Sequence, residues 1–253
     1  MKKFLIAIVM AALPVMGNAA GAKVPLEDID IDLENHASLQ RGMKTFVNYC
    51  LGCHSAEFQR YERAAQDLGM PNELVEENLI FGTHKVGEQM TIAMDKKDAA
   101  GWFGAPPPDL TLEARLRKPE WIYTYLKSFY VDPSRPWGVN NVVFKDVGMP
   151  NVLEGLQGKQ TLHCSKEELL SGEVLIDPLT NERKNECLKS DGSGSMSAEE
   201  FDKTVYDLVN FMAYMGEPSR VESEKLGIKV LIFLFIFTIF AYLLKKEYWR
   251  DIH

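Results

Sequence analysis

Apolar positions recur along this chain in two distinct patterns, striped and solid, and each predicts a different kind of element. Leu39, Met43, Phe46 and Val47 repeat at three- and four-residue intervals, the stripe of an amphipathic helix. They predict a helix over 39–49, with Ser38 at its capping position. A second stripe lies far downstream. Val205, Leu208, Val209, Phe211, Met212 and Met215 follow a Ser197-x-x-Glu200 capping box and predict a helix through Met215. Gly42 interrupts the first stripe. A glycine inside a helix costs up to about 1 kcal/mol, so it marks close approach by another backbone. The helix after Ser197 is the expected partner. Pro119 stands where a first helical residue would, and Trp121, Ile122, Tyr125, Leu126 and Phe129 are expected to face inward behind it. Asn72 can cap a short helix to Phe81. Residues 55–104 otherwise carry little pattern.

Two solid apolar runs frame the chain. The first, 4–13, follows Lys2 and Lys3 and gives way to Pro14 and the small residues Ala19, Ala20 and Ala22. Charge, apolar core and small-residue end read as a secretory signal peptide over 1–20. The run is well short of the ~20 residues that span a bilayer. The second, 226–244, is apolar apart from Lys229. As a helix it would reach ~28 Å, close to the hydrocarbon thickness. It predicts a transmembrane anchor over 223–246, with Lys229 snorkelling to one interface and Tyr248 and Trp249 bordering the other. Basic residues flank both ends almost evenly, so orientation rests on the signal peptide. It places the body, 21–222, in a bacterial periplasm and a short tail, 247–253, in the cytoplasm.

The formal charge of −8 argues against nucleic acid as a partner. Glu27, Asp28, Asp30, Asp32 and Glu34 form an acidic tract, read either as a solvated arm or as a docking face for a basic protein.

The chemistry begins at Cys50-Leu51-Gly52-Cys53-His54. Two cysteines three apart, with histidine directly behind, is the attachment sequence for c-type haem. Residues i and i+3 share a helical face, so both thiols can meet one porphyrin, while His54 supplies an axial nitrogen. A zinc half-site would want a second pair at comparable spacing, and Cys164 and Cys187 are too widely separated. A dithiol redox pair would want a βαβ context that the flanks lack. Haem iron then needs a sixth ligand. Met149, in Val147-Gly148-Met149-Pro150, sits in a segment that cannot be helical, where loop geometry can aim a thioether; packing is the alternative. His84 reads as surface, and Met90 and Met94 as packing. Gly104-Ala105-Pro106-Pro107-Pro108-Asp109-Leu110 favours a stiff polyproline course. It makes a rigid wall for a flat ligand and could offer a carbonyl to the free ring nitrogen of His54. Arg115 or Arg117 could pair with a haem propionate. Cys164 and Cys187, left over in an oxidising compartment, read as a disulfide stapling the polar insertion 172–190, worth roughly 3 kcal/mol in the chain-entropy model. Two free thiols is the alternative.

Pairing of the first and last helices around haem is similar to the class I cytochromes c, which Gly42, Phe46 and Cys50 resemble in spacing. The expected fold is therefore mainly α: a class I cytochrome c-like haem domain with insertions, plus one C-terminal transmembrane helix. The order of signal peptide, haem motif, Pro-Pro-Asp-Leu with downstream arginines, Gly-Met-Pro and a C-terminal anchor ending Leu-Leu-Lys-Lys resembles the cytochrome c1 family, the haem subunits of ubiquinol–cytochrome c reductase. The resemblance implies one covalently bound haem c on Cys50 and Cys53, with His54 and Met149 as axial iron ligands. It implies Arg115 at a propionate, with Pro107 in the wall beside the ring. It further implies electrons received from a Rieske iron–sulfur protein and passed to a soluble c-type cytochrome, an anchor packed beside cytochrome b, and no quinone site on this chain. Rival readings are an anchored monohaem cytochrome serving a terminal oxidase or nitric oxide reductase, a haem peroxidase with an open iron position, and a purely structural anchored domain.

Overall fold

The computed structural model describes residues 24–164 and 187–250. The expected signal peptide, most of the 172–190 insertion and the end of the tail lie outside the described residues. Within them the chain runs α1 (His36–Tyr49), β1 (Ala56–Arg60), α2 (Tyr61–Asp67), α3 (Asn72–Leu79), β2 (Gln89–Met90), α4 (Lys96–Phe103), α5 (Glu113–Arg117), α6 (Pro119–Lys127), β3 (Phe129–Val131), β4 (Val139–Asn141), α7 (Glu154–Gln157), β5 (Gln160–Leu162), β6 (Leu188–Ser190), α8 (Ala198–Gly216) and α9 (Arg220–Tyr248). The strands pair only as short antiparallel ladders, β1 with β2, β3 with β4 and β5 with β6. The fold is mainly α, as its stripes predict.

Everything else is assembled around the crossing of α1 and α8. Leu39, Met43, Phe46 and Val47 are buried on α1; Val205, Leu208, Phe211 and Met212 are buried on α8. The helices meet backbone to backbone at Gly42. A methyl group there would overlap the Asp207 carbonyl oxygen and come within 2.7 Å of Phe211 Cβ. Phe46 and Phe211 close the contact, ring centroids 5.6 Å apart. Pro119 opens α6, and Ser197 and Glu200 form the reciprocal cap of α8.

Three local expectations need correction. The cap of α1 is Asn35, whose side chain accepts from the Ser38 amide at 3.1 Å. Ser38 is buried instead, and its hydroxyl donates to Asp207 at 2.5 Å. Arg41 donates to the same carboxylate at 2.6 and 3.0 Å, and Asn210 donates to the Ser38 hydroxyl at 2.9 Å. A buried carboxylate is tolerable only with such partners, and Asp207 takes Ser38 for itself. Asn72 is the first residue of α3 rather than its cap, with Pro71 before it. Phe129 faces inward as expected, but from β3, because α6 ends at Lys127.

The acidic tract is a bound arm with an acidic outer face. Ile29, Ile31 and Leu33 pack against the core while Asp28, Asp30, Asp32 and Glu34 face solvent. The Glu27 amide donates to Thr124 Oγ1 at 2.8 Å, and the Tyr206 hydroxyl to the Asp30 carbonyl at 2.9 Å. Lys127 lies 2.6 Å from Glu27 and 3.0 Å from Asp202. Burial works against its charge, but the two carboxylates outweigh that and raise its pKa.

Helix α9 buries none of its residues. It is the one described helix long and apolar enough to cross a membrane. A helix this apolar and this exposed calls for a hydrocarbon environment rather than water. Its 29 residues extend past the apolar run, so the turns bearing Arg220, Glu222, Glu224 and Lys225 lie outside that run.

The Gly42 contact sets a stability prediction. Gly42→Ala gains about 1 kcal/mol of helix propensity but forces the helices apart at a cost of about 3 kcal/mol. The net loss of about 2 kcal/mol should appear as a lower denaturation midpoint with an unchanged denaturant slope in the solubilised protein.

Candidate functional site

The end of α1 supplies one wall of a largely apolar cavity of about 330 Å³. That volume falls in the roughly 300–1,000 Å³ range of small-molecule sites. The helix closes where the Phe46 carbonyl accepts from the amides of Cys50 and Leu51, at 2.8 and 3.0 Å. The Cys50 carbonyl then accepts from Cys53 and His54, at 3.1 and 2.9 Å. These overlapping turns bring Cys50, Cys53 and His54 together on the cavity wall. Neither thiol is in a disulfide. Burial, with Cys53 adjacent, pushes the Cys50 thiol up to about 12, so it stays protonated at neutral pH.

The second wall is the proline segment, with Ala105, Pro106, Pro107, Pro108 and Leu110 lining the cavity. Asp109 pins it. One carboxylate oxygen accepts from the Glu57 amide at 2.7 Å and the other from the Thr111 amide at 2.9 Å. The Leu110 amide donates to the Ser55 carbonyl at 2.9 Å, so the wall is tied to the residues directly after His54. The Pro108 carbonyl lies 2.8 Å from His54 Nδ1. A carbonyl can only accept, so Nδ1 carries the proton and the Nε2 lone pair is left for a metal ion. Burial pulls the His54 pKa down against the opposing pull of Pro108, Glu113 and Asp109, keeping the imidazole neutral at neutral pH.

The third wall comes from α5 and α6. Trp121 and Tyr125 stack at 4.9 Å with 11° between their planes. The Arg117 guanidinium lies 4.7 Å above the Trp121 ring and 3.4 Å from Glu113. Arg117 lines the cavity; Arg115 does not, and its stem lies beside Gly216 at the end of α8. The two arginines are two positions apart on a single turn of helix and so point to different sides. The fourth wall is the loop after β4, with Phe144, Val147, Gly148 and Met149. The Tyr125 hydroxyl donates to Met149 Sδ at 3.3 Å. A methyl group on Gly148 would sit 2.9 Å from the Phe103 carbonyl, so this loop passes tightly under α4.

The structure thus brings Cys50, Cys53, His54, Pro107, Arg117 and Met149 to one cavity, and leaves Arg115, His84, Met90, Cys164 and Cys187 elsewhere. His84 pairs with Glu88 at 3.0 Å on the surface, and Met90 is fully buried in the core. Cys164 and Cys187 are joined by a disulfide, Cα atoms 4.9 Å apart, directly beyond the Leu162–Leu188 pair of the β5–β6 ladder. The partners of the acidic arm, Thr124, Lys127, Tyr206 and Asn210, are not cavity residues. Sequence reasoning missed Phe103, Phe144 and Met212 as cavity walls, and Asn140 and Asn141 beneath the methionine loop. The signal for the last two was an Asn-Asn pair just before a loop.

A family model described as the cytochrome C1 family matches residues 83–252. A cytochrome c1 of Allochromatium vinosum is 47% identical over all of this chain and all of its own. The chain belongs to the cytochrome c1 family. A protein of Nitrosomonas europaea named ammonia monooxygenase gamma subunit is 45% identical over all of this chain and 99% of its own. A cytochrome b/c1 of Bradyrhizobium diazoefficiens is 23% identical over 87% of this chain and 34% of its own length. Cytochrome c1 is a membrane-associated haem subunit of the bc1 complex and serves electron transport. The cavity's donor set fits a haem of the c type. It offers two unpaired thiols, one imidazole held neutral, one thioether and a flat apolar wall, with a guanidinium at hand for a carboxylate.

Asp109 holds the proline wall by two charge-assisted bonds, each stronger than a neutral one. Asp109→Ala should cost about 2 kcal/mol and speed amide exchange at Glu57 and Thr111, with amides of α8 unaffected. Unchanged exchange at those two amides would show that the wall is held without Asp109.

Proposed function

We propose that this chain is a membrane-anchored monohaem c-type cytochrome. It takes single electrons from a Rieske iron–sulfur protein and passes them to a soluble c-type cytochrome within ubiquinol–cytochrome c reductase. The observation that carries this reading is the convergence of Cys50, Cys53, His54 and Met149 on one apolar cavity, in a chain of the cytochrome c1 family. In this reading one haem c is bound through thioethers at Cys50 and Cys53. When bound, the haem supplies one-electron chemistry, its iron cycling between ferric and ferrous.

The chain's residues bind, orient and insulate. His54 presents Nε2 because Pro108 holds Nδ1. Met149 presents sulfur, a ligand that favours ferrous iron and raises the potential. With the His54 imidazole and the Met149 thioether both holding the haem, small ligands would be shut out and no side chain would need to move a proton. Arg117 is better placed than Arg115 to meet a propionate, since it lines the cavity. The body, 21–222, sits in the bacterial periplasm once 1–20 is removed. The anchor over 223–246 packs beside cytochrome b, and 247–253 forms a cytoplasmic tail. The quinone site belongs to another subunit.

The Nitrosomonas relative favours a second reading, in which the same electron carrier serves a monooxygenase. Purification of the complex from detergent-solubilised membranes separates the two. The expected preparation contains a b-type cytochrome and a Rieske protein, and its redox titration resolves one c-type haem reducible by quinol. Copurification with a monooxygenase or an oxidase, without a Rieske protein, would overturn the first reading.

A further inference from the structure

The loop after β4 has almost no backbone ladder of its own, yet it must deliver Met149 to the cavity. Two adjacent buried carboxamides, Asn140 and Asn141, do the work of a ladder. Asn141 Oδ1 accepts from the Val143 amide at 2.9 Å, the Phe144 amide at 3.0 Å and the Ser128 hydroxyl at 3.3 Å. Its Nδ2 donates to the Tyr125 carbonyl at 2.8 Å. Asn140 Oδ1 accepts from the amides of Asn141 and Asp146, at 2.9 and 2.8 Å, and its Nδ2 donates to Asp132 at 2.9 Å. Arg135 donates to the Asp146 carbonyl at 2.8 Å, from the turn between β3 and β4. Asp146 itself takes φ = 62°, a left-handed conformation that a side chain adopts only when its surroundings impose it. Beneath the loop, Val147 is buried with Phe129 and Val139.

We infer that Asn140 and Asn141 are positioning residues for Met149, holding residues 142–149 against the end of α6 so that the thioether is presented in one place. This rests on the reading of Met149 as an iron ligand. A carboxamide is the group the position demands. Asn141 must accept from two amides and donate to a carbonyl, and neither a carboxylate nor an alkyl group can do both. The bond to the Tyr125 carbonyl matters most. Tyr125 also donates its hydroxyl to Met149 Sδ, so Asn141 fixes both the loop that carries the sulfur and the residue that touches it. A weakened loop would let the sulfur leave and open the iron to outside ligands, with the fold retained.

The test uses the intact haem-loaded membrane complex carrying Asn141→Asp or Asn140→Ala. Readouts are the sulfur-to-iron absorption band of the ferric form, the rate of cyanide binding and the midpoint potential. We expect each variant to lose most of that band, bind cyanide at least about tenfold faster, by analogy with substitutions of residues that orient metal ligands, and show a lowered potential. Asn210→Ala is the control: it removes an equally buried carboxamide at the α1–α8 crossing and should lower thermal stability with the band intact. Should Asn141→Asp fail to accumulate, Asn140→Ala carries the same test. Both variants keeping the parent band and cyanide rate would overturn the inference. Met149→Leu separates the two claims: if it too keeps the band, the ligand reading itself fails; if it alone loses the band, only the positioning claim fails.

Discussion

The approach of α1 and α8 at Gly42 is the constraint on which the rest of the molecule depends. Only a glycine lets the Asp207 carbonyl come so near, and that contact fixes how far apart the two helices run. From it the end of α1 acquires its place beside Met212 of α8, and the turn through Cys50, Cys53 and His54 inherits it. Asp207 makes the crossing specific as well as tight. Its buried carboxylate is satisfied only when Ser38, Arg41 and, through Ser38, Asn210 are all in register. Desolvation offsets much of the attraction in such a pair, so losing one partner costs more than the intact set contributes.

The cavity is then closed by two segments that have no regular structure and are made rigid in different ways. The proline wall is stiff by covalent geometry and is anchored by Asp109 and by the Leu110–Ser55 bond. The methionine loop is not stiff by composition, and gains its shape from side chains that replace the missing backbone bonds. The difference suits the roles proposed for them: a wall along a flat ring must lie flat, whereas a loop that presents a thioether must place one atom. His54 depends on the first segment through Pro108, and Met149 on the second through Asn141 and Tyr125.

Periodicity made α1 and α8 legible, because both bury a stripe of large apolar residues. Gly42 stood out because a helix interior has no local use for it. The haem motif and the solid C-terminal run were equally plain, each being a contiguous signal. What stayed hidden was of two kinds. The segment 55–104 folds into helices of seven or eight residues and strands of five and two, too short for either period to build up. The other kind turned on partners distant in sequence. Ser38 reads as a helix cap until Asp207, far downstream, claims its hydroxyl. Arg115 and Arg117 are indistinguishable as text, and only the direction of the five-residue α5 puts Arg117 at the cavity. Asn140 and Asn141 look like turn residues, and their role emerges only once Tyr125 and Asp146 are beside them.

The central claim is a porphyrin held covalently by the turn that ends α1. The most direct test is the intact mass of the mature subunit after denaturation and removal of all non-covalent groups. The account predicts the polypeptide without its first twenty or so residues plus one haem, with the added mass lost when Cys50 and Cys53 are both replaced by alanine. A mature chain of unmodified mass, or an added haem that survives loss of both cysteines, would contradict it.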